Sequence, residues 1–339
     1  MSKIIHIMKI GNKKIGINNP TYIIAEAGIN HNGDLKLAKK IIDEAANCGA
    51  DAIKFQSFTA DELFSKKLNP DIFKLATDWS IDKNQHFELK KYAQKQKIEF
   101  VSTATGIKSL NLLKKLGVNT IKIASMDVNN NEILKAAAKT KIPLILSTGM
   151  STITEIVSAV ETLTNQNATF CLLHCVSSYP TSIQDANLAT IPYFNKIFDV
   201  PIGYSDHTIG IDACTTSISL GSCIIEKHFT LDKKMDGPDH KLSADPKELR
   251  ELIKKVRTVE KVLGKPRKQF LKSEQKFRIA MRRSIGFNQN LQKGTKITQS
   301  MLTYYRPGDG IEPNMIKNVI GRKLKQNVTK GTFVNWNMI

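Results

Sequence analysis

The sequence predicts a closed (β/α)8 TIM barrel followed by a small, mostly β module. Eight short apolar runs alternate with amphipathic segments between residues 22 and 263. The runs are continuous rather than alternating, which marks strands buried on both faces, as in parallel sheets. The runs also end in polar residues, where a barrel of this kind places its chemistry. An open doubly wound sheet is the runner-up, but no Gly-x-Gly-x-x-Gly follows the first run.

Taken in order, residues 3–18 read as a hairpin. Ile4, Ile5 and Ile7 precede a Gly11-Asn12-Lys13-Lys14 turn, and Asn19-Pro20 ends the returning arm. Strands are then expected at 22–25, 52–56, 99–102, 120–124, 143–147, 169–174, 200–204 and 223–228. Helices are expected at 35–48, near 86–97, and at 109–116, 131–139, 154–165, 188–194, 212–220 and 246–263. The first shows the logic: Leu35, Ala38, Ile41, Ile42 and Ala45 share one face, and Gly49 closes it. Residues 57–80 read as a long loop. The rhythm stops after Leu263. The expected domains are a barrel over 1–264, a charged linker over 265–282, and a Gly-punctuated module over 283–339.

At 339 residues with 41% hydrophobic content, the chain suits one large domain plus a small one. No apolar run is long enough to span a bilayer, and the N-terminus lacks the apolar core of a signal peptide. Five cysteines, an odd set with no Cys-x-x-Cys, read as free thiols in a reducing cytoplasm. The net charge of +19 is dispersed, without a basic block or aromatic stripe. It argues for an anionic small substrate rather than nucleic acid.

The barrel reading puts specific residues at the strand ends. Glu26 ends the first strand, and Lys54 and Gln56 the second. Ser102 and Thr103 end the third; Lys122, Ser125 and Asp127 end the fourth. Ser147 and Thr148 end the fifth; Ser177 and Tyr179 follow the sixth. Ser205 and His207 follow the seventh; Glu226 and His228 end the eighth. Side chains two apart on a strand share a face, so His207 and His228 can converge on a divalent metal. The bland alternative is a pair of unrelated polar residues where strands meet solvent. Lysines inside apolar strands are costly unless paired. Lys54 and Lys122 imply an anion between them, or else each pairs with a carboxylate such as Glu26 or Asp127.

These residues fall in motifs that resemble the bacterial sialic acid synthases, which make N-acetylneuraminate and related nonulosonic acids. The motifs are Ala25-Glu-Ala-Gly-Ile-Asn-His-Asn-Gly-Asp34, Lys54-Phe-Gln56, Lys122-Ile-Ala-Ser125, Leu146-Ser-Thr-Gly-Met150, Leu173-His-Cys175, Tyr179-Pro-Thr181, Gly203-Tyr-Ser-Asp-His-Thr208, Glu226-Lys-His-Phe-Thr230 and Gly237-Pro-Asp239. The last module, with Arg306-Pro-Gly, resembles that family's antifreeze-like (SAF) domain. The resemblance implies condensation of phosphoenolpyruvate with open-chain N-acetylmannosamine, using Mn2+ or Mg2+, to give N-acetylneuraminate and phosphate. The alternative product is legionaminate or another nonulosonate, from a 2,4-diacetamido-trideoxy hexose. A Schiff-base aldolase and a non-catalytic sugar-binding barrel are weaker readings.

Carried over motif by motif, the resemblance implies His207 and His228 as metal ligands. Lys54, Lys122, Thr103, Ser125, Ser147 and Ser205 would hold phosphoenolpyruvate. Glu26, Gln56, Tyr179 and Asp239 would line the sugar and water positions, and Asp127, Ser177 and Glu226 would also bind substrate. Arg306 would reach a partner chain's sugar in a domain-swapped homodimer. The chain departs from the family at Ser102-Thr-Ala-Thr105, where Ser-Thr-Pro-Phe is usual, at Asp127 for Glu, and at Ser177 for Asn. Of the other polar residues, His174 reads as a hydrogen-bonded core residue, Met150 as packing, His31 as a loop cap or a substrate contact, and His240 as near the site.

Overall fold

The computed structural model describes residues 7–339. The start of the expected hairpin, residues 3–6, and most of the segment read for a leader lie outside the described residues. The chain divides into two compact units, Met1–Gly264 and Lys265–Ile339.

In the first unit a hairpin, β1 (Met8–Ile10) and β2 (Lys13–Ile15), precedes β3 (Tyr22–Gly28), α1 (Leu35–Cys48) and β4 (Ala52–Ser57). There follow α2 (Ala60–Leu63), α3 (Pro70–Trp79), α4 (Lys83–Lys95), β5 (Glu99–Ala104) and α5 (Ile107–Leu116). The chain continues with β6 (Ile121–Ile123), α6 (Asn131–Lys139), β7 (Leu144–Ser147), α7 (Ile153–Asn165), β8 (Phe170–Cys175) and α8 (Thr190–Ile197). It ends with β9 (Ile202–Asp206), α9 (Asp212–Ser219), β10 (Ile224–His228) and α10 (Pro246–Leu263). Strands β3 to β10 close into a parallel barrel in which β10 pairs both β9 and β3.

The strand period sorts the barrel's side chains into two sets. Ile23, Phe100, Leu146, Leu172 and Ile225 pack outward against the helices. Tyr22, Ile24, Ala52, Val101, Ile145, Leu173 and Ile224 fill the lower interior. Met8, Ile10 and Ile15 of the hairpin join this inner cluster, so the hairpin plugs one end of the barrel. Gly203 belongs to the same layer. A Cβ there would come within 2.5 Å of Leu173 and 2.8 Å of Ile224, so only glycine fits.

Helices α1, α6 and α10 have the bounds the sequence predicts. The expected loop 57–80 instead contains α2 and α3. Asn69-Pro70 starts α3, with proline where its missing N–H costs nothing. Phe58, Ala60 and Ala76 form a small satellite core there. The expected linker also holds structure: Lys272–Glu274 is a 3-10 turn leading into α11 (Gln275–Met281). Glu274 accepts from the Leu271 amide at 2.9 Å and caps that start. The rest of the second unit holds β11 (Ser284–Phe287), antiparallel to β12 (Leu302–Tyr305), and α12 (Ile316–Val319). Its core is built from Ile285, Phe287, Ile297, Val319, Leu324 and Val334. No helix among the described residues is long and apolar enough to cross a membrane.

Candidate active site

Above the apolar layer, the inward positions turn ionic. They line a cavity of about 450 Å³ at the strand C-termini. Glu26, Lys54, Lys122 and Glu226 face it with no more than 5% of their surface exposed. Burying charges is tolerable only when they are paired, and here they are. Lys54 Nζ lies 2.8 Å from Glu26 Oε2 and 3.7 Å from Glu226 Oε1, while Lys122 Nζ lies 3.4 Å from Glu226 Oε1. Glu226 thus stands between the two ammonium groups, in the position expected for an anion. Lys122 pairs with it and not with Asp127, because β6 and β10 both point these side chains inward.

Burial pushes both carboxyls up, but the lysines divide them. Lys122 and then Lys54 outweigh burial at Glu226 and hold it at about 2. At Glu26, burial together with the Glu226 charge outweighs Lys54, and the carboxyl rises to about 7. Burial pulls Lys54 down, but the Glu226 and Glu26 charges leave its ammonium above its ordinary value. The cluster therefore keeps a firm Lys54 cation, one firm carboxylate and one carboxyl that gives and takes a proton near neutrality.

His207 and His228 converge from β9 and β10 with ring centroids 5.4 Å apart, and Tyr179 packs on His207 at 4.1 Å. Burial lowers both imidazoles below their ordinary value, so both are neutral. His207 Nδ1 donates to the Val176 carbonyl at 2.7 Å. That bond fixes the tautomer and leaves Nε2 with the lone pair, the arrangement seen when imidazoles bind metals. His228 Nδ1 is buried without a hydrogen-bond partner and lies 3.8 Å from Asp239 Oδ2. Burial also raises Asp239. Neutral imidazoles, one fixed and one unpartnered, fit a divalent ion. No set of three His, Cys, Asp or Glu side chains among the described residues closes into a cage.

Hydroxyls complete the lining. Thr103 Oγ1 accepts from Lys54 at 3.2 Å, and Ser205 donates to Glu226 at 2.9 Å. Ser125 accepts from the Gly149 amide at 2.9 Å, and Ser147 Oγ is buried with no partner. A Cβ on Gly149 would lie 2.3 Å from Ser177 Oγ and 3.0 Å from Ser125 Oγ, so glycine lets these hydroxyls gather. Gln56 also lines the cavity. Asp127 does not. It ends the 3-10 turn Ser125–Asp127, whose tight winding swings it into the adjoining cleft with Asn130 and Glu132. Arg306 belongs to the second unit, where it is exposed beside a cis Arg306–Pro307 bond.

The NeuB family profile matches residues 41–268, more than half of the chain. The chain belongs to the NeuB family. A SAF domain profile matches residues 282–339. Among NeuB relatives, an uncharacterized protein of Methanocaldococcus jannaschii is 44% identical over 97% of both chains. The N,N'-diacetyllegionaminic acid synthase of Legionella pneumophila is 39% identical, also over 97% of both. The crystal structure of the N-acetylneuraminic acid synthetase of Leptospira borgpetersenii superposes with a TM-score of 0.78. It is 42% identical over 82% of this chain and 96% of that one.

Several residues of this NeuB site carry no signal in the sequence reading. Ile29, Leu63, Phe64 and Met126 line the cavity. Met150, read as packing, is 71% exposed at φ +58° and lines it too. Leu63 and Phe64 come from the segment read as loop, where only the fold of α2 could place them. His31 is a cap: its Nδ1 accepts from the Gly33 amide at 3.1 Å. His174 is a core residue, as expected, bonded to the Ala186 carbonyl at 2.8 Å and stacked on Tyr204. His240 bonds Thr230 at 2.6 Å beside the site loop.

Proposed function

We propose that this protein condenses phosphoenolpyruvate with the open-chain form of an N-acyl mannosamine-type sugar, releasing phosphate and a nonulosonic acid. The observation that carries the proposal is the split ionic cluster: two buried lysines, one carboxylate held low and one held near 7. A substrate with both carboxylate and phosphate matches the lysines and the hydroxyls of Thr103, Ser125 and Ser147. A Schiff-base lysine needs a depressed pKa, whereas Lys54 is held above its ordinary value.

A divalent ion on His207 and His228, Mn2+ or Mg2+, would supply Lewis-acid polarisation of the sugar aldehyde. Phosphoenolpyruvate, held by Lys54 and Lys122, presents carbon 3 to the aldehyde carbon. The new carbon–carbon bond forms as the double bonds of the enol and the aldehyde open, and the aldehyde oxygen takes the proton carried by the Glu26 carboxyl. Water then adds to carbon 2, with Glu26 placed to accept its proton. The carbon–oxygen bond to phosphate breaks, leaving the keto acid. Orienting two substrates and a water this way contributes up to about 7–11 kcal/mol.

Two sugars fit this chemistry. N-acetylmannosamine leads to N-acetylneuraminate; a 2,4-diacetamido-trideoxy hexose leads to a legionaminate-type product. The rim favours the second. Ile29, Leu63, Phe64, Met126 and Met150 offer apolar surface suited to a second acetyl methyl and a terminal methyl. Each such methyl contributes about 1–3 kcal/mol to discrimination. The test is phosphate release from phosphoenolpyruvate with both sugars and a metal. Higher kcat/KM for the diacetamido sugar supports this choice, the reverse ranking selects N-acetylmannosamine, and no release with either refutes the reaction.

The working unit we propose is a homodimer in the cytoplasm, with Arg306 completing the partner's site. Arg306 carries an exposed guanidinium suited to an acyl carbonyl. Arg306→Ala and His207→Ala should each be inactive alone. Mixed in equal amounts and exchanged, they should recover about a quarter of wild-type activity. A mixture as dead as its parts after verified exchange removes Arg306 from the partner's site.

A further inference from the structure

Lys227 is the third lysine inside a barrel strand, and it points away from the cavity. It is 1% exposed, between Glu226 and His228, whose side chains face inward. Opposite it in register on β9 stands Asp206, itself fully buried, between Ser205 and His207. Lys227 Nζ donates to Asp206 Oδ2 at 2.8 Å and also to the Thr208 carbonyl. Asp206 further accepts from the Tyr204 hydroxyl at 3.0 Å, the Thr208 amide at 2.8 Å and Cys214 Sγ at 3.1 Å.

The placement of these bonds is specific. The register between β9 and β10 ends at the Asp206–Lys227 pair, and beyond it the His207 carbonyl is held from the β8 side, accepting from the Thr181 amide at 2.9 Å. Lys227 grips Asp206 and Thr208, the residues on either side of His207, and is itself the chain neighbour of His228. One ammonium therefore ties together the backbones that carry both imidazoles. A buried ion pair adds little to stability compared with apolar packing of the same volume. Its value in holding a geometry is greatest where the ladder has stopped.

We infer that Lys227 and Asp206 are positioning residues for the His207–His228 pair, fixing the span between the imidazoles from the outer face of the barrel. This rests on the proposal that the two imidazoles hold a divalent ion. Residues behind metal ligands typically change metal affinity by about 10–100-fold, and the clamp falls in that class.

The test is Mn2+ binding to the full chain without substrates, followed by the electron paramagnetic resonance of free Mn2+. Three variants are compared with wild type: Lys227→Met, Asp206→Asn/Lys227→Met, and Tyr204→Phe. Each is measured well below its own melting temperature. Lys227→Met strands a buried carboxylate and should melt early. The double variant removes both charges and should recover most of that loss, yet bind Mn2+ about 10–100-fold more weakly. Its KM for phosphoenolpyruvate, set by Lys54 and Lys122, should stay near the wild-type value. Wild-type affinity in the folded double variant overturns the inference. If the double variant does not fold, Tyr204→Phe decides: a severalfold weaker affinity supports the clamp, and an unchanged one refutes it. Failure of wild type to bind Mn2+ defeats the metal site itself and, with it, the clamp's purpose; that result is distinct from tight binding in both.

Discussion

Strands β9 and β10 carry ionic groups on both faces, and the two faces are finished differently. Outward, Asp206 collects four donors and Lys227 two acceptors. Inward, Glu226 Oε2, Ser147 Oγ and His228 Nδ1 are buried without partners. A buried polar atom left unbonded costs about 1–3 kcal/mol, so a fold keeps several in one place only where something else satisfies them. The outer ion pair is satisfied by the protein alone, with only the Thr208 hydroxyl beside it left without a partner. The inner cluster is complete only with ligands, and that contrast separates architecture from function more sharply than burial or charge does.

The contrast breaks first at the imidazoles. Chelation of the metal, or His207→Ala, should lower kcat about a thousandfold, the loss of several kcal/mol of Lewis-acid stabilisation. Thermal melting of the His207→Ala protein should change far less. Full turnover after chelation would remove the metal from the chemistry. On the outer face the order reverses: Lys227→Met should cost about 3–5 kcal/mol of stability, read from denaturant unfolding, because it strands Asp206.

Smaller effects sharpen the same line. Lys54→Ala should raise the KM for phosphoenolpyruvate about 10–100-fold with little change for the sugar. Equal changes in both would move Lys54 out of the anion subsite. The stability cost should fall below that of Lys227→Met, since Glu26 takes up a proton near neutrality. That proton gives a pH signature. Glu26 ordinarily titrates at 4.5 and in the fold at about 7. A carboxyl raised in the folded state favours folding while protonated, so its contribution is lost as pH rises from about 4.5 to about 7. Glu226 has the opposite sign: held at about 2, it favours folding above 4.5, and that is lost as pH falls towards 2. Glu26→Gln should therefore flatten the melting temperature between about pH 5 and pH 8 relative to wild type. A parallel pair of curves would assign the slope to another group.

The smallest effect is expected at Ser147. Ser147→Ala removes a buried hydroxyl with no partner and should cost no stability, relief of the unbonded oxygen offsetting the small void left. Tyr204→Phe, which breaks a bond to a buried carboxylate, should cost about 1.5–3 kcal/mol. Similar costs for the two would mean that Ser147 already has a partner in solution.

The inner face was largely legible in the sequence because its residues stand at strand ends, where period two and the barrel rule fix their direction. Glu26, Lys54, Lys122, His207 and His228 all converge as those rules require. The outer face was not legible. Lys227 lies among Glu226 and His228, and in such a polar stretch a lysine raises no alarm; only the register opposite Asp206 reveals its partner. Asp127 went astray because a 3-10 turn follows β6, and its rotation cannot be read from a strand pattern. The apolar rim was hidden for a similar reason. Leu63 ends a four-residue helix and Phe64 caps it in extended conformation, between charged residues, where no periodicity is long enough to register.

The hairpin at the other end has a practical consequence. Met8, Ile10 and Ile15 seal the barrel's lower interior, while Asn12, Lys13 and Lys14 at the turn are exposed. Traffic through the cavity thus belongs to the strand C-termini, at the opposite pole. A label, a bead or a fused protein attached at Asn12 would sit as far from the substrates as the barrel allows. An enzyme immobilised by that turn should keep its mouth turned towards the solution.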